Sequence, residues 1–285
     1  MNWMKHLWIY FLISALIIVP GIYSLVRYGF KPSIEFTGGT RFTLENVQSA
    51  PDFVLQSFKD YTPSLEDKTS NSVTLKTKNI SQETAQKAID TIKNENPEIK
   101  ITSFESIGAS LGKETIRKTL FALAISSILL LLYISFTFKQ LKYGVCAVIA
   151  MLHDSLILLG SFSLLGHFYG VEIDLLFVTA VLTILSFSTH DTIVNYDRIR
   201  ELSHKNKGIE FVSLVNQAIT ENMVRSLNNS LTIIFMLIAL FLIGGETTKF
   251  FSLALLIGTI TGTYSSTFTA APLLVVWDRV FNKKK

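Results

Sequence analysis

Long apolar segments that alternate with charged ones dominate the pattern of this chain. Six of the apolar segments approach the length of about 20 residues that a helix needs to cross a bilayer. They are Leu7–Val26, Thr119–Phe138, Tyr143–Gly166, Ile173–Val194, Val224–Ile243 and Phe250–Leu274. Aromatic anchors of the kind found at membrane interfaces mark several ends, namely Trp3, Trp8, Tyr28, Tyr143, Tyr169 and Trp277. The pattern predicts a polytopic α-helical membrane protein with six transmembrane helices.

Residues 27–118, between the first two apolar segments, have the character of a small soluble domain. Apolar periodicity predicts strands and helices, in chain order Thr40–Asn46 (strand), Pro51–Asp60 (helix), Ser64–Asp67 (strand), Ser72–Thr77 (strand), Gln82–Asn96 (helix, capped by Ser81) and Ile99–Phe104 (strand). This is the β-α-β-β-α-β order of a ferredoxin-like α+β domain. The domain contains no His or Cys, which argues against a metal site of the usual kind.

The placement of Lys and Arg, more than the net charge of +4, predicts the orientation in the membrane. Basic residues are concentrated in the short loops of one side, which the positive-inside rule makes cytoplasmic. Residues 1–26 are then a cytoplasmic N-terminus with a retained first helix, and 27–118 lie outside the membrane. Residues 119–277 carry helices 2–6 with a cytoplasmic loop at 195–223, and 278–285 form a basic cytoplasmic tail.

Two further patterns predict surfaces on the later helices. In the predicted cytoplasmic loop, apolar residues recur every three to four positions and predict an amphipathic helix lying on the membrane surface: Ile209, Val212, Val215, Ile219 and Met223. Small residues recur every four positions along the sixth segment and predict a close packing seam: Ala254, Gly258, Gly262, Ser266 and Ala270. Whether that seam meets helices of this chain or of a partner stays open.

Ionisable residues within the apolar segments are the candidate functional groups. Such a residue costs about 2.5–3.5 kcal/mol on insertion scales, so it usually has a partner or a function. Asp191 lies near the end of the fourth segment, beside His190, whose side chain titrates near neutrality when unperturbed. Arg225 lies at the start of the antiparallel fifth segment, so we expect it at a depth similar to that of Asp191. The alternative is that Arg225 reaches lipid phosphates and Asp191 only caps a helix end.

Three other polar features each have more than one interpretation. Asp154, beside His153 in the middle of the third segment, is either part of a proton pathway or a structural hydrogen-bonding group. A polar stripe on the fourth segment faces water, a partner or neighbouring helices: Thr179, Thr183, Ser186 and His190. The run Thr37-Gly38-Gly39-Thr40 is either a turn with positive φ or a cradle for phosphate or peptide backbone, and turn chemistry favours the first.

Five motifs occur in order along nearly the whole chain: Ile34-Glu35-Phe36-Thr37-Gly38-Gly39-Thr40, then Ile107-Gly108-Ala109-Ser110-Leu111-Gly112, His153-Asp154, the Asp191 segment that ends Asp197-Arg198-Ile199-Arg200-Glu201, and Leu255-Leu256-Ile257-Gly258-Thr259-Ile260-Thr261-Gly262-Thr263-Tyr264-Ser265-Ser266. Together they resemble the SecD/SecF family of bacterial protein-export membrane proteins, on its SecF side. The chain departs from the family pattern at Glu35, often Asp; at Ser186-Phe187-Ser188, often Gly-Tyr-Ser; and at His190, often Asn.

The resemblance implies a proton-driven machine of the resistance-nodulation-division superfamily in the bacterial cytoplasmic membrane. It implies a SecD partner that supplies six more helices, contact with the SecYEG channel, YajC as a further candidate partner, and preproteins as the exported chains. It also implies that Asp191 and Arg225 belong to the proton pathway. From their positions we add His190 and Asp154.

Two other functions remain open at this point, a lipid or drug exporter of the same superfamily and a purely structural subunit. The sequence has no Walker nucleotide loop, nucleophile elbow or His-Glu-x-x-His motif, so we expect neither an enzyme nor a bound cofactor. The uneven charge distribution favours a lipid bilayer and not a nucleic acid as the charged partner. Cys146 is the single cysteine, which excludes an intrachain disulfide.

Overall fold

A computed structural model describes residues 2–46, 59, 63–68, 72–78, 80, 82–95, 97–206 and 208–281. The chain divides into two compact units. One contains Met1–Phe30, Ala122–Val171 and Leu176–Lys285, and the other contains Lys31–Phe121 with Glu172–Leu175. The second unit therefore includes a short segment that is distant in sequence from the rest of it.

An antiparallel sheet is the centre of the second unit. Its strands, among the described residues, are β1 (Gly39–Glu45), β2 (Ser64–Lys68), β3 (Ser72–Thr77) and β4 (Lys100–Ile107), in the spatial order β2-β3-β1-β4. A short helix α2 (Ile34–Thr37) precedes β1, and α3 (Gln82–Glu95) connects β3 to β4. Apolar residues alternate along β1 and β3 because one face of the sheet is buried, and they form a core of Phe42, Leu44, Val73, Leu75, Ile80, Ile92 and Ile99.

The predicted strands and the second predicted helix are present, with bounds that differ by up to three residues. The predicted helix at Pro51–Asp60 and the cap at Ser81 lie outside the described residues, apart from residue 59. Gly38 and Gly39 have φ values of +70° and +136°, as the predicted turn requires. A Cβ atom on Gly38 would lie 2.6 Å from the Cα of Ala109, so close backbone packing adds a second reason for glycine there.

Long helices build the first unit. They are α1 (Leu7–Arg27), α4 (Ala109–Phe138), α5 (Leu141–Tyr169), α6 (Leu175–Lys205), α7 (Phe211–Ile243), α8 (Glu246–Ser265) and α9 (Ala271–Phe281), with a π-helical segment, Ser266–Ala270, between α8 and α9. Within the described residues, five helices are long and apolar enough to cross a membrane. They are α1 (with the short turn before it), α4, α5, α6 and α7. The chain is therefore a helical, multi-pass membrane protein with a small antiparallel sheet.

Helices α1 and α5 run parallel in a constant register. Ser14 contacts His153, and Ser24 contacts Ser163, both at a sequence separation of 139. Between these pairs, a Cβ on Gly160 would lie 2.6 Å from the Cα of Gly21. The two backbones approach this closely because both residues lack a side chain.

The predicted surface helix needs correction, whereas the cytoplasmic location of 195–223 stays a prediction. Helix α6 continues to Lys205 and α7 begins at Phe211, so most of 195–223 is a pair of helix extensions. The centre of the face predicted to touch lipid is packed inside the protein, because Val215 and Ile219 are buried with Tyr196 and Ile199 in one apolar cluster, whereas Ile209 is exposed. Burial against neighbouring helices satisfies the same amphipathic pattern as burial in lipid.

The small-residue seam packs against a helix of the same chain. A Cβ on Gly258 would lie 2.3 Å from Ile184, and one on Gly262 would lie 3.1 Å from the Cβ of Ser188. Both neighbours belong to α6, so the seam brings α8 close to the helix that carries Asp191. Ala254, Ser266 and Ala270 on the same face are fully buried.

Candidate proton site

Asp191 is buried on α6 and accepts hydrogen bonds from two serines. Its side chain is 7% exposed. Ser226 of α7 donates to Asp191 Oδ2 through a short bond, and Ser266, the first residue of the π-helical segment, donates to the same oxygen at 3.1 Å. The carboxylate is thus surrounded by neutral donors from two neighbouring elements.

Asp154 is the centre of a second polar cluster, on α5. It is 1% exposed. Its Oδ2 accepts from Ser188 through a short bond and from Ser265 at 2.6 Å, while its Oδ1 lies 2.9 Å from His153 Nδ1. The other ring nitrogen, His153 Nε2, lies 2.8 Å from Ser14 Oγ on α1. The cluster therefore ties α5 to α1, α6 and the end of α8.

Consecutive serines join the two carboxylates. Ser265 donates to Asp154 and Ser266 donates to Asp191. They lie where α8 changes into the π-helical segment, and such π-helical turns often occur at functional sites. Helix α6 is a second link between the two sites. It carries Asp191 itself and, three residues earlier on the same face, Ser188, which contacts Asp154 of α5. The two carboxylates therefore bind adjacent residues of the same segment.

The order Ser14, His153, Asp154 matches the hydrogen-bond order of a catalytic triad. Ser14 is 5% exposed and lies in the contact between α1 and α5. A substrate carbonyl cannot reach a hydroxyl that is packed between two helices. The arrangement is better suited to holding and passing a proton, since hydroxyl, imidazole and carboxyl groups all exchange protons along hydrogen bonds.

Asparagine side chains extend from Asp191 toward an open cavity of about 430 Å³. Asn195 Nδ2 donates to the carbonyl of Ser266 at 3.4 Å, and Asn222 Nδ2 donates to Asn195 Oδ1 at 3.1 Å. Asn222 also lines the cavity, whose walls comprise Thr137, Phe138, Ile193, Val194, Asp197, Arg198, Glu201, Asn222 and Arg225. A polar path thus reaches the surroundings of Asp191 from this cavity.

The structure does not bring all four predicted proton-pathway residues together. Arg225 lines the cavity, and no ion pair joins it to Asp191 within the described residues; Ser226, next to it on α7, contacts Asp191 instead. His190 is adjacent to Asp191 in sequence, but it lies on the exposed face of α6, because successive residues of a helix point in different directions. Thr179, Thr183 and Ser186 are exposed on that same face.

Sequence reasoning missed the hydroxyl and amide partners of the carboxylates. Ser188, Ser226 and Ser265 contact them directly, and Asn195 with Asn222 leads to the cavity. The sequence feature that could have indicated them is a polar residue within an apolar helix, at a position on the same helix face as a carboxylate. Ser188 and Asn195 flank Asp191 at three and four residues, the spacing of neighbours on one helix face.

Two family models match the chain. Residues 87–280 match the SecD/SecF protein export membrane protein, C-terminal model, and residues 23–45 match the SecD/SecF GG motif. The chain belongs to the SecD/SecF family. The GG motif match contains Gly38 and Gly39 of the turn, and the C-terminal match contains both carboxylates of the site.

Relatives and solved structures agree with this assignment. A protein translocase subunit SecF of Thermobaculum terrenum is 40% identical over 289 residues, covering 94% of this chain and 91% of the relative. A protein translocase subunit SecDF of Bacillus subtilis is 30% identical, covering 94% of this chain but 37% of the relative. The crystal structure of SecDF from Thermus thermophilus, a translocon-associated membrane protein, superposes with a TM-score of 0.86 at 28% identity, over 98% of this chain and 39% of that one.

Proposed function

We propose that this chain is a SecF-type translocase subunit that works with a SecD partner. In this proposal, the pair uses the proton motive force to promote preprotein export and release on the outer side of the bacterial cytoplasmic membrane. The observation that carries the proton step is the pair of buried carboxylates, Asp154 and Asp191, bonded by consecutive serines. The names of the relatives, SecF and SecDF translocase subunits, support the export step.

In the proposed cycle, a proton from the outer side neutralises Asp191. A neutral carboxyl group holds hydroxyl donors less strongly than a carboxylate does, so Ser226 and Ser266 then loosen their hold on α6. The proton leaves toward the cavity by way of Asn195 and Asn222. Each charge that crosses supplies about 2.3 kcal/mol per 100 mV of membrane potential, and this energy drives the movement that prevents the exported chain from sliding back.

The remaining polar residues have supporting roles in the proposal. Asp154, with His153, is a second group that can hold the proton. Arg225 lines the cavity toward which the proton leaves, next to Ser226 on α7. His190 and the exposed polar stripe of α6 face the SecD helices, where they avoid the cost of contact with lipid.

The proposal includes a specific architecture. The sequence Glu246–Ser265, the π-helical segment and Ala271–Phe281 together form a sixth span. The outward domain is ferredoxin-like in this proposal, which the described order β1, β2, β3, α3, β4 and the spatial strand order β2-β3-β1-β4 support. Both termini are cytoplasmic. The working complex includes SecD and contacts SecYEG, with YajC as a further component. The subunit is not an enzyme and needs no cofactor.

The Asp191→Asn variant tests the proton step. In inverted membrane vesicles that contain SecD and the translocation channel, we expect the variant to assemble normally and to lose the stimulation of preprotein export by an imposed proton motive force. Asparagine keeps the size and hydrogen-bonding capacity of the side chain but cannot bind and release a proton. Asp90→Asn, an exposed substitution on α3, is the matched control and should behave as the unmodified protein.

Normal stimulation in the Asp191→Asn complex would overturn the proton step and favour a purely structural subunit. Copurification with an efflux partner in place of the translocation channel would overturn the export assignment.

A further inference from the structure

The short segment Glu172–Leu175, which leads into α6, belongs to the same compact unit as the sheet. Its backbone pairs with the segment that follows α1. Ser33 N donates to the carbonyl of Ile173 at 2.9 Å, and Ile173 N donates to the carbonyl of Lys31 at 2.9 Å. These bonds form a parallel bridge between Pro32 and Ile173, so the entrance to α6 is attached to the entrance of the domain.

Glu172 is surrounded by three cations of the domain. Its side chain is 9% exposed, with Arg41 Nη2 at 2.6 Å from Oε2, Lys76 Nζ at 2.9 Å from Oε1 and Lys31 Nζ at 3.8 Å. Lys76 also donates to the carbonyl of Pro32 at 3.1 Å. A nearly buried carboxylate with this many charge-assisted bonds is held much more firmly than a surface ion pair.

Two cations of the sheet lie opposite each other at the position where this carboxylate binds. Arg41 of β1 and Lys76 of β3 are direct cross-strand partners, and like charges directly opposite each other destabilise a sheet. Glu172 binds Arg41 with Oε2 and Lys76 with Oε1. The repulsion between the strands is thereby replaced by two attractions to a residue that arrives from a distant part of the chain.

A second carboxylate holds the first turn of α6. Glu35 Oε2 accepts from the backbone nitrogen of Leu175, the first residue of α6, at 2.6 Å. A carboxylate at this position also complements the positive end of the helix dipole. Glu35 belongs to α2, immediately before the Gly38-Gly39 turn, so the positive-φ geometry of that turn helps to position the acceptor.

We propose that Glu172, with Glu35, forms a joint that passes movement of α6 to the outward domain. Asp191 lies on the same uninterrupted helix as Leu175, about 24 Å further along at 1.5 Å per residue. A shift of α6 that follows protonation of Asp191 therefore pulls on a segment bound to β1 and β3 by ion pairs. This inference rests on the proposed function, because it requires a proton-dependent movement of α6.

The test compares Glu172→Gln with Glu98→Gln, a matched change at an exposed glutamate in the turn before β4. Two quantities are measured on the SecD-containing complex: hydrogen exchange at the amides of Ser33, Ile173 and Leu175, and stimulation of preprotein export by an imposed proton motive force. For Glu172→Gln we expect exchange to accelerate by about tenfold or more, since a hydrogen bond to a charged group contributes that much to local stability. We expect export stimulation to fall while SecD stays bound.

Charge exchange provides the conservative rescue. Glu172→Arg places a fourth cation in the cluster and should abolish both exchange protection and export stimulation. Adding Arg41→Glu returns a carboxylate to the centre of the cluster, so we expect the double variant to regain much of both. If Glu172→Arg acted only by disturbing the local packing, a second charged substitution at position 41 would not restore exchange protection or export stimulation.

The outcomes separate this inference from the proposed function. Accelerated exchange in Glu172→Gln with normal export stimulation would overturn the joint and leave the proton step intact. Unchanged exchange in Glu172→Gln, or no rescue by Arg41→Glu, would overturn the ion-pair assignment. Normal stimulation in Asp191→Asn would overturn the proposed function itself, and the joint with it.

Discussion

Within the described residues, serine hydroxyls donate to both Asp154 and Asp191, and Asp154 also contacts the ring of His153. Ser188 and Ser265 donate to Asp154, and Ser226 and Ser266 donate to Asp191. A neutral donor stabilises a carboxylate without fixing its charge as strongly as an arginine would. The proposed proton step requires such a setting, because a permanent ion pair would oppose the binding and release of a proton.

The contribution of one such donor can be measured at Ser265. We expect Ser265→Ala to lower the free energy of unfolding by about 1–3 kcal/mol, because it leaves a buried carboxylate with one donor fewer. Ser155→Ala, next to Asp154 in sequence, is the control. Ser155 donates to the backbone carbonyl of Met151 on its own helix, and its loss should change stability by less than about 0.5 kcal/mol.

Both values come from thermal or denaturant unfolding of the protein in the same detergent. Equal effects of Ser265→Ala and Ser155→Ala would contradict the special role of the Asp154 cluster.

At the scale of elements, small residues decide which helices can touch. Gly21 and Gly160 let α1 and α5 approach to backbone contact, and Gly258 and Gly262 leave room on α8 for Ile184 and Ser188 of α6. The first contact holds Ser14 against His153, and the second holds Ser265 and Ser266 against the carboxylates. Close packing is therefore a condition for both polar clusters.

Gly160→Ala should separate α1 from α5. The added Cβ would lie 2.6 Å from the Cα of Gly21, and backbone cannot yield as a flexible side chain does. Overpacking of this kind destabilises a protein by about 1–3 kcal/mol. Replacing glycine by alanine in a helix stabilises it by about 1 kcal/mol. Because the clash is with backbone, we expect a destabilisation near the upper end of the first range, and hence a net loss of stability.

The measurement is the unfolding temperature in detergent, with Gly245→Ala as control, because a Cβ there meets nothing within 4 Å. We expect a fall for Gly160→Ala and little change for the control. A higher unfolding temperature for Gly160→Ala would show that the two backbones do not meet at this point.

At the scale of the whole molecule, the other proposals depend on the proposed topology in the membrane. The proton path, the joint at Glu172 and the export role each require the sheet-containing unit outside and the cavity of Arg225 inside. The distribution of basic residues supports this orientation. Reporter proteins can test it directly.

Alkaline phosphatase inserted after Glu98 should be active, because that exposed turn lies outside the membrane in the proposed topology. Green fluorescent protein fused after Lys285 should fluoresce, because the C-terminus lies in the cytoplasm. The opposite pair of results would reverse the orientation and with it the direction of the proton path.

Local periodicity was sufficient to predict much of the fold. The alternation of Ser72–Thr77 predicted β3 with its observed bounds, and apolar runs predicted the long helices, because both patterns depend on residues close together in the chain. The same locality explains the error at Val215 and Ile219. A helix face records that it is buried but not whether lipid or protein covers it.

The amino-acid sequence by itself determined the class of the protein, a multi-pass membrane protein with an α+β domain, and pointed to Asp154 and Asp191 through the cost of charge in an apolar segment. Only the tertiary structure decided their partners. Ser265 is 111 residues from Asp154, and Arg41 is 131 residues from Glu172. Such contacts arise when helices and strands pack together, and hydrogen bonds and ion pairs act over a few ångströms in space without regard to distance along the chain.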